Sequence, residues 1–259
     1  MTYLEAALLG VIQGLTEFLP VSSSGHLALG QALLGIETGD LTFEVIVHFG
    51  TLLAVVTVLR RRIWSLIRGF FGRNPADVKI VGLLVLGSIP AAIVGLTFED
   101  TFTSIFANPF YVSVMLVFTG IVLFSTRNLS GKRTVDRIPT SLAIGVAQAL
   151  AILPGVSRSG MTIATGMWFR TEAREAAVFS FLLGIPIIAG ATAMKVSGLA
   201  AGGVGTESWP TLMIGAIAAY GSGVLSIRWL LSILARSELS RFAYYCWAIG
   251  IIGCVAFWS

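Results

Sequence analysis

The sequence predicts an all-α integral membrane protein with an inverted-topology repeat, in which each half is one re-entrant helical hairpin followed by three transmembrane helices. Three observations support this prediction. The 259 residues are 56% hydrophobic and only 12% charged, with a mean hydropathy of +0.89. Apolar stretches of about 17–20 residues, the length of a membrane span, recur along the chain. The third observation is an internal repeat.

The internal repeat relates residues 10–26 to residues 145–160. Eight identical residues recur at an offset of 135, and a Leu-Pro pair recurs at an offset of 134. The two copies differ in charge, because the first carries Glu17 and His26 whereas the second carries Arg158. An acid and a base on matching repeats predict that both copies contribute to one site.

The predicted elements follow from the breaks in the apolar sequence. Residues 3–35 and 139–170 are apolar, but proline, glycine and serine interrupt each of them, which predicts two half-length helices meeting at a polar break. Non-helical backbone at membrane depth needs protein or a water-filled cavity around it, so each segment is predicted as a re-entrant hairpin. The six predicted full spans are residues 43–59, 80–98, 109–126, 176–195, 209–227 and 242–258.

Basic residues give the predicted orientation. Arginine and lysine concentrate at 60–79, 127–138 and 228–241, and the positive-inside rule places these loops in the cytoplasm. The net charge of +4 therefore concerns topology, and no nucleic-acid partner is predicted.

The same rule orients the two hairpins. Hairpin 139–170 enters and leaves from the cytoplasm, and by the repeat, hairpin 3–35 enters from outside. The repeats 1–127 and 139–259 then form a single membrane domain, and the odd number of spans in the first repeat inverts the second. This arrangement is typical of secondary transporters.

Arg158 indicates an anion, because an unpaired arginine costs at least about 2.5–3.5 kcal/mol inside a membrane. Its planar fork matches phosphate oxygens, and hydroxyl side chains surround it at Ser157, Ser159 and Thr162. The break before it also frees backbone N–H groups at a helix start, which favour anions. The alternative is a structural ion pair with Glu17.

Glu17 has three candidate roles: ligand of a divalent cation, orienting partner of His26, or general acid or base. His26 is a candidate base for a serine nucleophile or acid for the leaving group, and the alternative is a histidine satisfied by backbone at the hairpin tip. Ser22, Ser23 and Ser24 are candidate reactive or substrate-binding hydroxyls, or helix caps after the proline.

Three further residues, Gln13, Glu44 and His48, are polar side chains in apolar segments. Gln13 precedes Glu17 by one helical turn and is a candidate amide donor. Glu44 and His48 lie one turn apart at the outer end of a predicted span, which places His48 either in the same cavity or in an interfacial or helix-packing position.

These motifs resemble the two signatures of the undecaprenyl-diphosphate phosphatases, the bacitracin-resistance family. The resemblance rests on residues 13–26, with Gln-x-x-x-Glu followed by Leu-Pro-Val-Ser-Ser-Ser-Gly-His, and on residues 154–162, and it extends over essentially the whole chain. It implies hydrolysis of undecaprenyl diphosphate to the monophosphate, which recycles the lipid carrier of cell-wall glycans and confers bacitracin resistance. It also implies a plasma-membrane location, with the site toward the outer face.

The resemblance further implies roles for individual residues. Ser23 would be the nucleophile, His26 its acid/base partner, and Glu17 a metal ligand or the residue that positions water. Arg158 would clamp the diphosphate, and a divalent cation, Mg²⁺ or Ca²⁺, would be required. Other substrate-binding candidates are Gln13, Ser22, Ser24, Ser157, Ser159 and Thr162. Gln13 departs from the many members with glutamate there, and a neutral amide cannot supply a second charged metal ligand.

Two rival functions remain at this stage. An inverted repeat also suits a transporter or flippase for polyprenyl phosphate, which would move lipid without releasing phosphate. A structural membrane scaffold is the third interpretation. Small-residue faces such as Gly215 to Gly223 could pack helices within one chain or between two, so a homodimer is also predicted as a candidate assembly.

Overall fold

The structure is a computed structural model that describes residues 1–35, 41–97, 108–202, 208–235 and 238–258. Within these residues the chain forms ten α-helices and no named β-strand, which confirms the all-α prediction. The helices are α1 (Tyr3–Phe18), α2 (Ser23–Leu34), α3 (Leu41–Phe71), α4 (Pro75–Thr97), α5 (Pro109–Phe124), α6 (Ile138–Leu150), α7 (Arg158–Trp168), α8 (Ala173–Gly202), α9 (Trp209–Leu234) and α10 (Arg241–Ala256).

Four of the described helices contain segments long and apolar enough to cross a membrane, as expected of a multi-pass membrane protein. These segments are Thr42–Phe71, Pro75–Thr97, Ala173–Gly190 and Trp209–Leu234. The predicted spans 109–126 and 242–258 are helices of 16 residues each. At about 1.5 Å per residue such a helix is about 24 Å long, shorter than a hydrocarbon core of about 30 Å.

Several predicted boundaries were wrong because the helices continue beyond the apolar stretches. Helix α3 ends at Phe71 instead of residue 59, and α4 begins at Pro75, so most of the predicted loop 60–79 is helical. Arginine is a good helix former, and the helix ends only where Gly72 is followed by Arg73, Asn74 and Pro75. Helix α9 likewise continues to Leu234 instead of residue 227.

Each predicted hairpin consists of two short helices on either side of a break. The helices α1, α2, α6 and α7 have 16, 12, 13 and 11 residues, fewer than the roughly 20 needed for a full span. The members of each pair, α1 with α2 and α6 with α7, contact each other. The lengths agree with two hairpins, and their re-entry into a membrane stays a prediction.

The repeated serines explain why the second helix of each hairpin begins where it does. The Oγ of Ser22 accepts a hydrogen bond from the backbone N–H of Gly25 at 3.3 Å, and the Oγ of Ser157 accepts one from Gly160 at 3.1 Å. These are corresponding positions of the internal repeat. Each cap satisfies one backbone donor that a helix start leaves without a partner.

The ten helices of the described residues divide into two sets of five with reciprocal packing. The first helix of each set packs against the fourth helix of the other, as α1 with α9 and α6 with α4. The third helices, α3 and α8, contact each other, and so do the fifth helices, α5 and α10. This exchange of partners is the contact pattern that the predicted repeat requires. The inversion of the halves across a membrane and the repeat boundaries 1–127 and 139–259 stay predictions.

Glycines allow α1 and α9 to approach closely. A Cβ atom added at Gly10 would collide with the carbonyl oxygen of Gly215, and one at Gly14 would lie 2.7 Å from the backbone nitrogen of Gly223. The face from Gly215 to Gly223 therefore packs helices within one chain. A homodimer stays a prediction.

Candidate active site

A cavity of about 230 Å³ lies where the breaks of the two hairpins meet α3 and α8. Its polar lining residues are Thr16, Glu17, Ser22, Ser23, Ser24, His48, Ser157, Arg158 and Thr192. Its apolar lining residues are Val45, Ala151, Ile152, Val156, Ile187 and Ile188. Residues of both copies of the repeat therefore line one cavity, while their roles in binding and catalysis stay predictions.

Arg158 and Glu17 form an ion pair across the cavity. The Nη2 of Arg158 donates to the Oε1 of Glu17 at 2.9 Å, and the two side chains are only 15% and 6% exposed. The Nη1 of Arg158 donates to the carbonyl oxygen of Ser180 at 3.3 Å. The structural pair that the sequence offered as an alternative is therefore present. A guanidinium has five N–H donors, so this pair leaves donors for a phosphate ligand.

The other carboxylate oxygen of Glu17, Oε2, lies near the side chains of Ser23, Gln13 and His48. Its Oε2 accepts hydrogen bonds from the Oγ of Ser23 at 2.6 Å and from the Nε2 of Gln13 at 3.0 Å. The Nε2 of His48 lies 3.8 Å from the same oxygen. The hydroxyl proton of Ser23 is thus directed at Glu17, which makes this carboxylate the group placed to receive that proton.

His48 lines the cavity, as one of its two predicted positions required. Its Nδ1 lies 2.7 Å from the carbonyl oxygen of Glu44, one turn earlier in α3. Because a carbonyl oxygen only accepts hydrogen bonds, Nδ1 carries the proton, and in the neutral ring Nε2 carries a lone pair. Nε2 is the ring nitrogen that lies near Glu17.

His26 has both ring nitrogens engaged outside the cavity lining. Its Nδ1 lies 2.8 Å from the carbonyl oxygen of Ser22, and its Nε2 lies 2.9 Å from the hydroxyl of Tyr245. The His26 and Tyr245 rings are stacked, with centroids 5.6 Å apart and planes inclined by 7°. The carbonyl oxygen of Ser22 is therefore the backbone partner that the alternative interpretation of His26 required. The role of His26 as the acid/base partner of Ser23 stays a prediction.

Three predicted substrate-binding residues, Gln13, Ser159 and Thr162, are buried and do not line the cavity. The Oγ of Ser159 donates to the carbonyl oxygen of Leu19 at 2.9 Å. The Oγ1 of Thr162 lies 2.8 Å from the carbonyl oxygen of Arg158 and 2.6 Å from the Oγ of Ser180. Both hydroxyls hold neighbouring segments in place, and their predicted contact with substrate stays a prediction.

The sequence reasoning missed Thr119, whose hydroxyl holds the second break. Its Oγ1 accepts from the backbone N–H of Ser157 and donates to the carbonyl oxygen of Gly155, both at 3.1 Å. Ser180, which contacts Arg158 and Thr162, was missed as well. The only signal for either residue was a lone hydroxyl in an apolar helix. That signal is too common to identify a functional residue.

The groups around Glu17 fit a divalent cation only in part. Among the described residues, no three His, Cys, Asp or Glu side chains cluster at metal-binding distance. The Oε1 of Gln13 is buried and has no hydrogen-bond partner within the part of the chain that the structure describes. One carboxylate and one amide oxygen suit a Mg²⁺-type site, in which substrate phosphates and water supply the other ligands.

Comparison with known proteins agrees with this geometry. Residues 6–252 match the family model described as bacitracin resistance protein BacA. The chain is 42% identical to an undecaprenyl-diphosphatase of Salinibacter ruber, with 98% of each chain aligned. It is 40% identical to proteins of the same name from Halothermothrix orenii and Rubrobacter xylanophilus, with 97% and 96% of each chain aligned. The chain therefore belongs to the BacA family of bacitracin resistance proteins.

Proposed function

We propose that this protein hydrolyses undecaprenyl diphosphate to undecaprenyl phosphate and inorganic phosphate. The observation that carries the proposal is the set of contacts joining Arg158, Glu17 and Ser23 inside one cavity. The curated relatives named undecaprenyl-diphosphatase support it. The activity would recycle the lipid carrier used for cell-wall glycans, and the family description connects it with bacitracin resistance.

In this proposal the diphosphate binds at the meeting point of the two breaks. The remaining N–H donors of Arg158 take phosphoryl oxygens, and the starts of α2 and α7 at Ser23 and Arg158 direct positive helix ends at the same cavity. The hydroxyls of Ser24 and Ser157 line the cavity beside them. The long apolar tail of the substrate stays in the bilayer.

Ser23 is proposed to attack the terminal phosphorus atom. Its Oγ forms a bond to phosphorus while its proton passes to the Oε2 of Glu17, which lies 2.6 Å away. The bond from phosphorus to the bridging oxygen breaks, and the electron pair leaves with undecaprenyl phosphate. Water then hydrolyses the phosphoserine and regenerates Ser23. Direct attack by water at the same phosphorus, with Glu17 as base, is the alternative route.

Positively charged groups placed near the negatively charged phosphoryl oxygens supply the main stabilisation of either transition state. Arg158 provides it from the protein. We further propose that Glu17 and the Oε1 of Gln13 hold a divalent cation together with the substrate. When bound, the cation would neutralise charge on the phosphoryl oxygens.

The proposal also includes a plasma-membrane location with the cavity toward the outer face. The cavity residues Val45 and His48 belong to the first turns of α3, whereas Arg60, Arg61 and Arg62 lie roughly three to five turns later. The positive-inside rule places that arginine cluster toward the cytoplasm, which leaves the cavity nearer the other side.

The experiment that tests the proposal is phosphate release from undecaprenyl diphosphate by detergent-purified protein. We expect release by the wild type, its loss in Arg158→Ala and its loss on addition of EDTA. No release by a folded, Mg²⁺-supplied wild type would reject the phosphatase. If the wild type and Arg158→Ala both release phosphate, the diphosphate clamp is rejected.

A further inference from the structure

The turn that joins α1 to α2 has a strained backbone that needs external support. Ser22 has φ +69° and ψ 98°, a strained conformation that L-residues rarely adopt. Ser23 follows it directly and donates to Glu17. Any relaxation at Ser22 would therefore move the hydroxyl that the proposed reaction uses.

Residues of the second half hold this turn at its backbone carbonyl groups. The Oγ of Ser159 donates to the carbonyl oxygen of Leu19 at 2.9 Å. The Sγ of Cys246, on α10, donates to the carbonyl oxygen of Pro20 at 3.6 Å. The carbonyl oxygen of Ser22 is bonded by the Nδ1 of His26, which in turn contacts Tyr245, the neighbour of Cys246.

The contact with the carbonyl oxygen of Ser22 determines which ring nitrogen of His26 carries the proton, and the hydroxyl of Tyr245 pairs with the other nitrogen. Because the carbonyl oxygen of Ser22 only accepts, Nδ1 of His26 must carry the proton. In the neutral ring Nε2 is then an acceptor, and the hydroxyl of Tyr245 donates to it at 2.9 Å. The stacked rings, inclined by only 7°, fix the plane of the imidazole.

The second break has a matching arrangement, which argues against a chance contact. There Thr119, on α5, bonds the backbone of Gly155 and Ser157. Helix α5 is the fifth helix of the first half, and α10, which carries Tyr245, is the fifth helix of the second half. In each case the fifth helix of one half holds the break of the other.

We propose that Tyr245 is a positioning residue for the phosphatase: acting through His26, it fixes the strained Ser22 turn and thereby places Ser23 against Glu17. This assigns His26 to holding the backbone rather than to moving a proton in the cavity. The inference rests on the proposed function for its kinetic test, and an NMR test is independent of that function.

The kinetic test uses full-length protein in detergent with undecaprenyl diphosphate and Mg²⁺. Tyr245→Phe keeps the stacked ring and removes only the hydroxyl. We expect kcat to fall about tenfold, equivalent to about 1.4 kcal/mol, with KM within about twofold because the Arg158 clamp is untouched. The matched control is Tyr244→Phe, next to it on α10, whose ring contacts Phe124 and Trp247. We expect the control to match the wild type.

Variants of His26 separate positioning from proton transfer. The side-chain amide of His26→Asn can still donate to the carbonyl oxygen of Ser22, whereas His26→Leu cannot. We expect the Asn variant to recover at least about tenfold over the Leu variant, and Tyr245→Phe to cause no further loss in the Leu background. Equal loss in both His26 variants, an additive effect of Tyr245→Phe, or a Tyr245→Phe enzyme as active as Tyr244→Phe would each overturn the proposal.

Nitrogen NMR with ¹⁵N-labelled histidine reads the same contact without turnover. The chain has two histidines, so His48→Gln assigns the signals. We expect the Nδ1-protonated form for His26, and a shift of its Nε2 signal in Tyr245→Phe but not in Tyr244→Phe. An unmoved signal would overturn the proposal. If the Nε2 signal moves in Tyr245→Phe but the wild type releases no phosphate, the phosphatase is rejected and the positioning contact is kept.

Discussion

Removing the guanidinium of Arg158 tests stability and activity at once, and the structure separates the two effects. Arg158→Ala leaves Glu17, which is 6% exposed, without its charged partner. Breaking a buried ion pair from one side costs about 3–5 kcal/mol. Because the cavity can admit water and Arg158 is itself 15% exposed, we expect the lower end, about 3 kcal/mol of unfolding free energy.

The effect on activity has a different origin and a different size. A hydrogen bond to a charged group contributes about 1.5–3 kcal/mol, and about 1.4 kcal/mol is a tenfold change in rate. If the fork of Arg158 makes two such bonds to the diphosphate, its loss lowers kcat/KM by roughly 10²–10⁴-fold. Phosphate release measured at several substrate concentrations gives this ratio.

Adding Glu17→Gln to Arg158→Ala distinguishes the two effects. The neutral amide no longer needs a cationic partner, so thermal unfolding in detergent should return most of the way to the wild-type midpoint while activity stays lost. An Arg158→Ala protein with near-normal kcat/KM would refute the clamp. A double variant as unstable as the single one would refute the reasoning about an unpaired buried charge.

Three further predictions follow from individual contacts. Ser23→Ala should lower phosphate release at least about a hundredfold in folded protein, and near-normal release would leave direct water attack as the route. Gln13→Glu adds a second carboxylate, so we expect roughly tenfold tighter Mn²⁺ binding by EPR and a lower Mg²⁺ requirement for activity, and unchanged metal binding would remove Gln13 from the cation site. Gly14→Val forces a side chain into α9, so its melting temperature should fall by several degrees, whereas Gly221→Ala, at a position with no described atom within 4 Å of the added Cβ, should not lower it. An intact melting temperature for Gly14→Val would contradict the close packing of α1 on α9.

The sequence was informative where a chemical need and an internal repeat pointed the same way. Glu17 and Arg158 are lone charges in apolar segments at corresponding breaks, and each is costly without a partner. That argument predicted their meeting, and the Nη2–Oε1 distance of 2.9 Å confirms it. The cap at Ser22 was also among the predicted roles of the three serines after the proline, because a helix start needs an acceptor, whereas the cap at Ser157 was not predicted.

The orientation of the His26 side chain was not predictable from the internal repeat. It depends on the positive φ of Ser22, on the stacking of Tyr245 and on how α10 lies against the turn, and these are tertiary features. Tyr245 gave no signal because aromatic residues are common near the ends of membrane helices. The helix ends beyond the apolar stretches, such as Phe71, were missed because arginines continue a helix as well as end a membrane span.

The most direct test of the central claim is a parallel measurement of phosphate release and lipid movement by wild-type protein in liposomes loaded with undecaprenyl diphosphate. We expect one inorganic phosphate for each undecaprenyl phosphate formed, with both lost in Arg158→Ala. Movement of polyprenyl lipid across the bilayer with no phosphate released would contradict it and favour a transporter.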